Sequence, residues 1–298
     1  MSHQQASRRV SCLGLLALLL AGCGRSQVEP LTTSTPVPSI GFAEIEGIKV
    51  YYEMAGEGKP LILIHGGNMD SRMWDDQFQV FAEHYWIIRY DVPGFGKSEG
   101  PTSAYTNSAA LRGLMAYLGI EKAWIIGLSL GGRIALDFAV EYPKMVDGLI
   151  LASSGLSGFE WSSDAIARSR AIMQVAKEQG AEQAAEKWLQ DPYMAPAMEN
   201  PAISGRIRQM VMDNAHIWLD ENHEQMIAPP AIGRIKGITA PVLIIVGARD
   251  VEDIQLIADI VESAIPGANK VVMENTGHIV NMENPEGFNH LVLDFINR

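Results

Sequence analysis

Three side chains far apart in the chain have the types and surroundings that nucleophilic catalysis needs: Ser129, Asp250 and His278. A serine hydroxyl is a weak nucleophile at neutral pH, so it requires a base in hydrogen-bond reach and an acid to orient that base. Ser129 stands in Gly127-Leu128-Ser129-Leu130-Gly131, a Gly-x-Ser-x-Gly match that is weak by itself in a chain with 28 glycines. Its flanks give it meaning. An apolar run at 123–126 leads in and a helical stretch at 130–142 leads out, which predicts a sharp strand-turn-helix corner, the context this motif requires. A side chain at Gly127 or Gly131 would collide there with the neighbouring strand and helix. The helix N-terminus behind the serine favours developing negative charge.

The acid and base come from later runs. Asp250 closes Gly247-Ala248-Arg249-Asp250 after the apolar run 242–246, beyond a strand's carboxyl end, where open α/β sheets build their sites. His278 closes Asn275-Thr276-Gly277-His278 after the run 270–273. Of the seven histidines, His3 lies in the N-terminal segment, while His84, His216, His223 and His290 fall in helical or connecting segments where packing or exposure is the default role.

The elements that must position these groups alternate regularly. A hairpin over 43–52 pivots near Glu46-Gly47, and apolar runs follow at 61–64, 86–90, 123–126, 148–151, 242–246 and 270–273. Continuous apolarity without alternation marks strands covered on both faces, as in a parallel sheet between helix layers. Helices are expected at 106–118, 130–142, 254–264 and 285–296. A doubly wound α/β domain follows, spanning 41–298. The alternation breaks over 156–235, where the pattern is helical and holds Trp161, Trp188, Trp218 and six of the 14 methionines. This stretch reads as a helical cap inserted within one domain, its aromatic and Met content serving cap–core packing or an apolar cleft.

With Ser129, Asp250 and His278 in the order nucleophile, acid, histidine, the chain resembles the α/β-hydrolase superfamily. The resemblance runs from about Gly41 to the C-terminus. It includes His65-Gly66-Gly67-Asn68 after the first buried strand and Asp91-Val92-Pro93-Gly94-Phe95-Gly96-Lys97-Ser98 after the second. It implies an α/β-hydrolase fold with a mostly parallel central sheet, flanking helices and a cap. It also implies an oxyanion hole from the backbone N–H groups of Gly67 and Leu130, and loop-bracing roles for His65 and Asp91. Asp253 is the rival for the acid. Relatives with a carboxylate nucleophile, the haloalkane dehalogenases and epoxide hydrolases, are set aside because the elbow holds Ser129 followed by apolar Leu130. Pro285-Glu286-Gly287-Phe288-Asn289 and Trp74 look most like small-molecule esterases and lactonases. The expected reaction is hydrolysis of an ester or lactone of a small, fairly apolar molecule through an acyl-enzyme, with no cofactor and no metal. Carbon–carbon bond hydrolysis and cofactor-free perhydrolysis on the same triad stay open, as does a lipid-anchored binding protein of the same fold.

The N-terminus carries Arg8 and Arg9, then an uncharged stretch ending in small residues, which is a secretory signal pattern over 1–22. The stretch between Arg9 and Arg25 is shorter than the roughly 20 residues a spanning helix needs. Leu20-Ala21-Gly22-Cys23 resembles the bacterial lipoprotein box, which implies acylation of Cys23 and a Ser/Thr/Pro-rich tether over 23–40. The expected location is therefore extracytoplasmic, periplasm or cell surface, on a membrane held through Cys23. The only other cysteine, Cys12, lies inside the apolar signal, so the mature domain has no thiol for disulfides or metal sites. A net charge of −12 leaves no basic surface for nucleic acid.

Overall fold

The computed structural model describes residues 38–221 and 223–298. The signal pattern, Cys23 and most of the tether lie outside the described residues. Eight strands are formed: β1 (Ser39–Ile45), β2 (Ile48–Ala55), β3 (Pro60–Ile64), β4 (Trp86–Tyr90), β5 (Ala123–Leu128), β6 (Val146–Ala152), β7 (Val242–Gly247) and β8 (Asn269–Met273). They make one sheet in the order β1-β2-β4-β3-β5-β6-β7-β8. The β1–β2 hairpin and the β2–β4 pair are antiparallel, and the other pairs are parallel. Glu46 and Gly47 form the hairpin turn with φ of 51° and 82°, the left-handed backbone that a two-residue turn of this kind demands.

The alternate residues of one strand explain why most of the runs are apolar at successive positions. In β3, Ile62 and Ile64 join a cluster with α2 (Asn107–Tyr117), α3 (Leu130–Glu141) and α8 (Glu252–Ala264). Leu61 and Leu63 join the opposite cluster, with α1 (Asp75–Ala82) and α10 (Pro285–Ile296). All four are fully buried, each burial contributing about 1.5–3 kcal/mol. The fold is thus the mostly parallel, helix-flanked sheet that the sequence implies. Arg89 is the exception within a core strand. It lies opposite Glu53 in the β2–β4 register, pairs with Glu53 and Asp75 at 2.6 and 2.5 Å, and stacks over Phe78 of α1.

The cap comprises α4 (Ser163–Gln179), α5 (Ala181–Trp188), α6 (Ala195–Glu199) and α7 (Ser204–Asp213). Beyond residue 213 the expected helical pattern gives way to single 3-10 turns and irregular chain up to β7, consistent with the Pro and Gly there, which break helices. Ile207, Met210 and Val211 of α7 share a cluster with Met73 and Trp74 of the body. Polar ties reinforce that contact: Arg206–Asp76 at 2.9 Å, Arg72–Asp213 at 2.8 Å, and an Asn214 amide donating to Asp70 at 2.9 Å. Two short helices, α1 and α9 (Val280–Glu283), carry too few turns for the 3.6-residue periodicity to mark them in the sequence.

Candidate active site

Ser129 sits between β5 and α3 with φ 53° and ψ −109°, a strained conformation for a non-glycine residue. Such strain costs on the order of 1–3 kcal/mol and persists only where the surroundings enforce it. Here the Ser129 N–H donates to Ala152 O at 3.0 Å, while Ser129 O accepts from Arg133 and Gly155 N–H at 3.0 and 2.9 Å. The expected glycines are needed sterically. A Cβ on Gly127 would stand 2.2 Å from Gly131 O, and one on Gly131 would stand 2.1 Å from Ile64 O. Gly132 is constrained likewise, 2.4 Å from Ser154 Oγ.

The structure brings His278 and Asp250 together although 28 residues separate them. His278 Nδ1 lies 3.1 and 3.0 Å from the two carboxylate oxygens of Asp250, and both side chains are almost entirely buried. An ionised carboxylate only accepts, so Nδ1 carries the proton and Nε2 is left as the basic nitrogen. Gly247 permits this approach, because a Cβ there would stand 2.1 Å from Gly277 O in the histidine loop. Asp253 does not reach the histidine. It accepts from Ser162 Oγ at 2.8 Å, at the start of α4.

Ser129 and His278 line one cavity of about 160 Å³ together with Gly67 and Leu130. Leu130 is the first residue of α3, so its N–H has no carbonyl one turn back. A Cβ on Gly67 would stand 3.9 Å from that of Leu130, which places the two residues side by side at the serine. Trp161, Trp188 and Tyr193 close this cavity from the cap and also line a second one of about 470 Å³, walled further by Trp218, Ile166, Ile172, Arg168 and Asp191. Trp161 and Trp188 therefore face the serine cavity, while Trp218 lines the adjoining one.

His65 and Asp91 brace loops. His65 is fully buried, its Nε2 accepting from Val92 N–H at 2.9 Å and its Nδ1 donating to Gly66 O at 2.8 Å. Burial lowers its pKa, keeping the ring neutral. Asp91 accepts from the Ser71 and Lys97 N–H groups, both at 2.8 Å. The rings of Trp74 and Phe288 meet at a tilt, their centroids 6.0 Å apart.

Two residues at the site carry no sequence signal. Tyr193 packs edge-on against His278 at 4.8 Å between ring centroids, and burial raises its phenol pKa well above the usual range. Glu283 accepts hydrogen bonds from the backbone on both sides of His278. The Tyr193 contact joins segments that only the tertiary fold brings together, whereas Glu283 lies six and four residues from the amides it meets.

The sequence model of the alpha/beta hydrolase fold family matches residues 59–285. A 2-hydroxy-6-oxononadienedioate/2-hydroxy-6-oxononatrienedioate hydrolase of Paraburkholderia phymatum is 29% identical over 265 residues, covering 84% of this chain and 91% of the relative. Among solved structures, the enol-lactonase from Burkholderia xenovorans is 25% identical with a TM-score of 0.73, covering 87% of this chain and 100% of the other. The naproxen esterase of Bacillus subtilis superposes with a TM-score of 0.73 at 21% identity, covering 88% and 92% of the two chains, and shares the fold.

Proposed function

The chain belongs to the alpha/beta hydrolase fold family and is a hydrolase, and from that premise we propose that it cleaves carboxylic esters or lactones through an acyl-enzyme on Ser129. The observation that carries this reading is the His278–Asp250 pair at 3.0 Å, whose free Nε2 shares one cavity with Ser129. Ser129 Oγ attacks the carbonyl carbon as His278 Nε2 takes its proton. Asp250 orients the ring and stabilises the imidazolium. The N–H groups of Gly67 and Leu130 hold the oxyanion, each such donor contributing about 3–4 kcal/mol in comparable sites. His278 returns its proton to the leaving oxygen, then activates the water that releases the acid.

The pocket supports neutral, apolar substrates. The lining of the serine cavity includes no Lys or Arg, and its cap wall is Trp161, Trp188 and Tyr193. Carbon–carbon bond hydrolysis is the second reading, favoured by the relative from Paraburkholderia phymatum, whose name makes its substrates dioates. Carboxylates need cationic partners. Arg168 in the adjoining cavity already pairs with Asp164 and Asp191, and Arg170 lines the same cavity. A panel of p-nitrophenyl esters graded by acyl length, with lactones and a 2-hydroxy-6-oxodienoate, decides between the two. Ester or lactone turnover that exceeds dienoate cleavage supports the proposal, and the reverse order replaces it with the second reading.

We propose further that the enzyme is an exported lipoprotein acylated at Cys23, supported by the Leu20-Ala21-Gly22-Cys23 sequence and the signal pattern before it. One acyl chain anchors weakly, so stable attachment takes at least two. Metabolic labelling with palmitate should mark the wild type and spare Cys23→Ser. Equal labelling of both would remove the proposal.

A further inference from the structure

The loop that carries His278 is held from a side the triad does not use. Glu283, the last residue of α9, directs both carboxylate oxygens back at the loop: Oε2 accepts from Gly277 N–H at 2.8 Å and Oε1 from Ile279 N–H at 3.0 Å. These are the two amides that flank His278. The ring itself is fixed by Asp250 on Nδ1 and by the Tyr193 edge, while Gly277 lies so near the cap that a Cβ there would meet Pro196 at 2.5 Å. One carboxylate therefore sets the imidazole and a second sets the backbone it hangs from.

We propose that Glu283 is a positioning residue, whose two-oxygen clasp of the Gly277 and Ile279 amides aims His278 Nε2 at the Ser129 hydroxyl; this rests on the reading of His278 as the base. His278 lies on a loop, beyond β8, with no ladder to fix it. A base on such a loop can drift, and a misplacement of about 1 Å can cost on the order of 100-fold in rate. Only an ionised carboxylate offers an acceptor on both oxygens, since a glutamine side chain has one acceptor and one donor. The site pays for that ion. Burial and the Asp250 charge raise the Glu283 carboxyl pKa above its usual value, an effect the two amides and His278 offset only in part, and Arg249 faces it as well. Charge-assisted bonds to two backbone N–H groups are the compensation the geometry provides.

The test compares Glu283→Gln and Glu283→Asp in the full chain, with exposed Glu286→Gln as control. Asp keeps the charge but is one methylene too short for both amides. Each Glu283 variant should lose about 10- to 100-fold in kcat on a p-nitrophenyl ester and in the rate of fluorophosphonate labelling, with KM changed less than about threefold. The control should match wild type. The deshielded Nδ1 proton of His278, read by NMR without turnover, should broaden or shift in both variants. Wild-type rates and an unmoved Nδ1 resonance in folded Glu283→Gln would overturn the proposal. A defect in Glu283→Gln with full activity in Glu283→Asp would also overturn it, because charge and not the clasp would then matter. Labelling of wild type but not Ser129→Ala checks the underlying serine-hydrolase reading separately. Should that check fail, the NMR signal still decides the clasp.

Discussion

Ser129 is held at φ 53° by hydrogen bonds from its N–H to Ala152 and to its carbonyl from Arg133 and Gly155. Asp250 holds His278 in the tautomer that leaves Nε2 free, so Asp250→Asn should preserve the fold yet drop kcat by about 10⁴-fold, as an amide donor facing Nδ1 selects the wrong tautomer. Stopped ester assays on the purified variant read this directly. A second titratable residue lies outside the triad. Asp137 on α3 is buried, which pushes its pKa up to about 6 against the opposing influence of Ser157 and Arg133. Its proton is thus bound more tightly in the folded than in the unfolded chain. The stabilisation is complete below the unfolded value of about 3.9 and is lost as pH rises through about 6. Asp137→Asn removes the titration, so the Tm difference, variant minus wild type, should be more positive at pH 8 than at pH 5. The places of Ser129, Asp250 and His278 beyond strand ends were legible in the sequence because each follows a strand whose run marks its end. Tyr193 was not, because its contact with His278 exists only in the folded chain, and Glu283 was not, because a glutamate five residues past a histidine carries no mark of the loop geometry that lets it meet both flanking amides.

At the scale of elements, the strand-turn-helix corner is the most constrained feature. Gly131→Ala would drive a methyl against Ile64 O, and overpacking of this kind costs about 1–3 kcal/mol where the backbone can yield at all. For a chain of this size that is a fall in Tm of several degrees, with loss of activity, measurable by calorimetry and ester assay together. The cap offers a gentler lever. Trp161 lines both the serine cavity and the larger cap cavity, so Trp161→Ala should weaken kcat/KM for long acyl esters about 10-fold or more while acetate esters change less than about threefold. A uniform loss across chain lengths would contradict an acyl-binding role for this wall. Most of the parallel strands could be read from sequence because burial on both faces leaves mainly apolar residues in them, while β8 at the sheet edge leaves Asn269 and Val272 exposed. The interruption by Arg89 is compatible only because Glu53 and Asp75 meet it. The region from 214 to β7 could not be read as it folds, since its irregular path is set by what it packs against rather than by periodicity.

At the scale of the whole molecule, a net charge of −12 gives no general attraction to anionic lipid, so the proposed attachment through Cys23 draws no help from surface charge. A chain beginning at residue 38 should therefore keep kcat within about twofold of the full-length enzyme. If the proposed anchor at Cys23 holds, fractionation should find the full-length form with membranes and the shortened one released. The cap is joined to the body by apolar packing and by the Arg72–Asp213 and Arg206–Asp76 pairs, so the catalytic cavity depends on two layers meeting in register. Whether that cavity performs serine chemistry is the central matter. Intact-mass analysis of the folded enzyme after incubation with a fluorophosphonate tests it most directly. One adduct per chain, mapped to Ser129 and missing in Ser129→Ala, is the expected result. An unmodified wild type that is folded by circular dichroism, or an adduct that persists in Ser129→Ala, would contradict it.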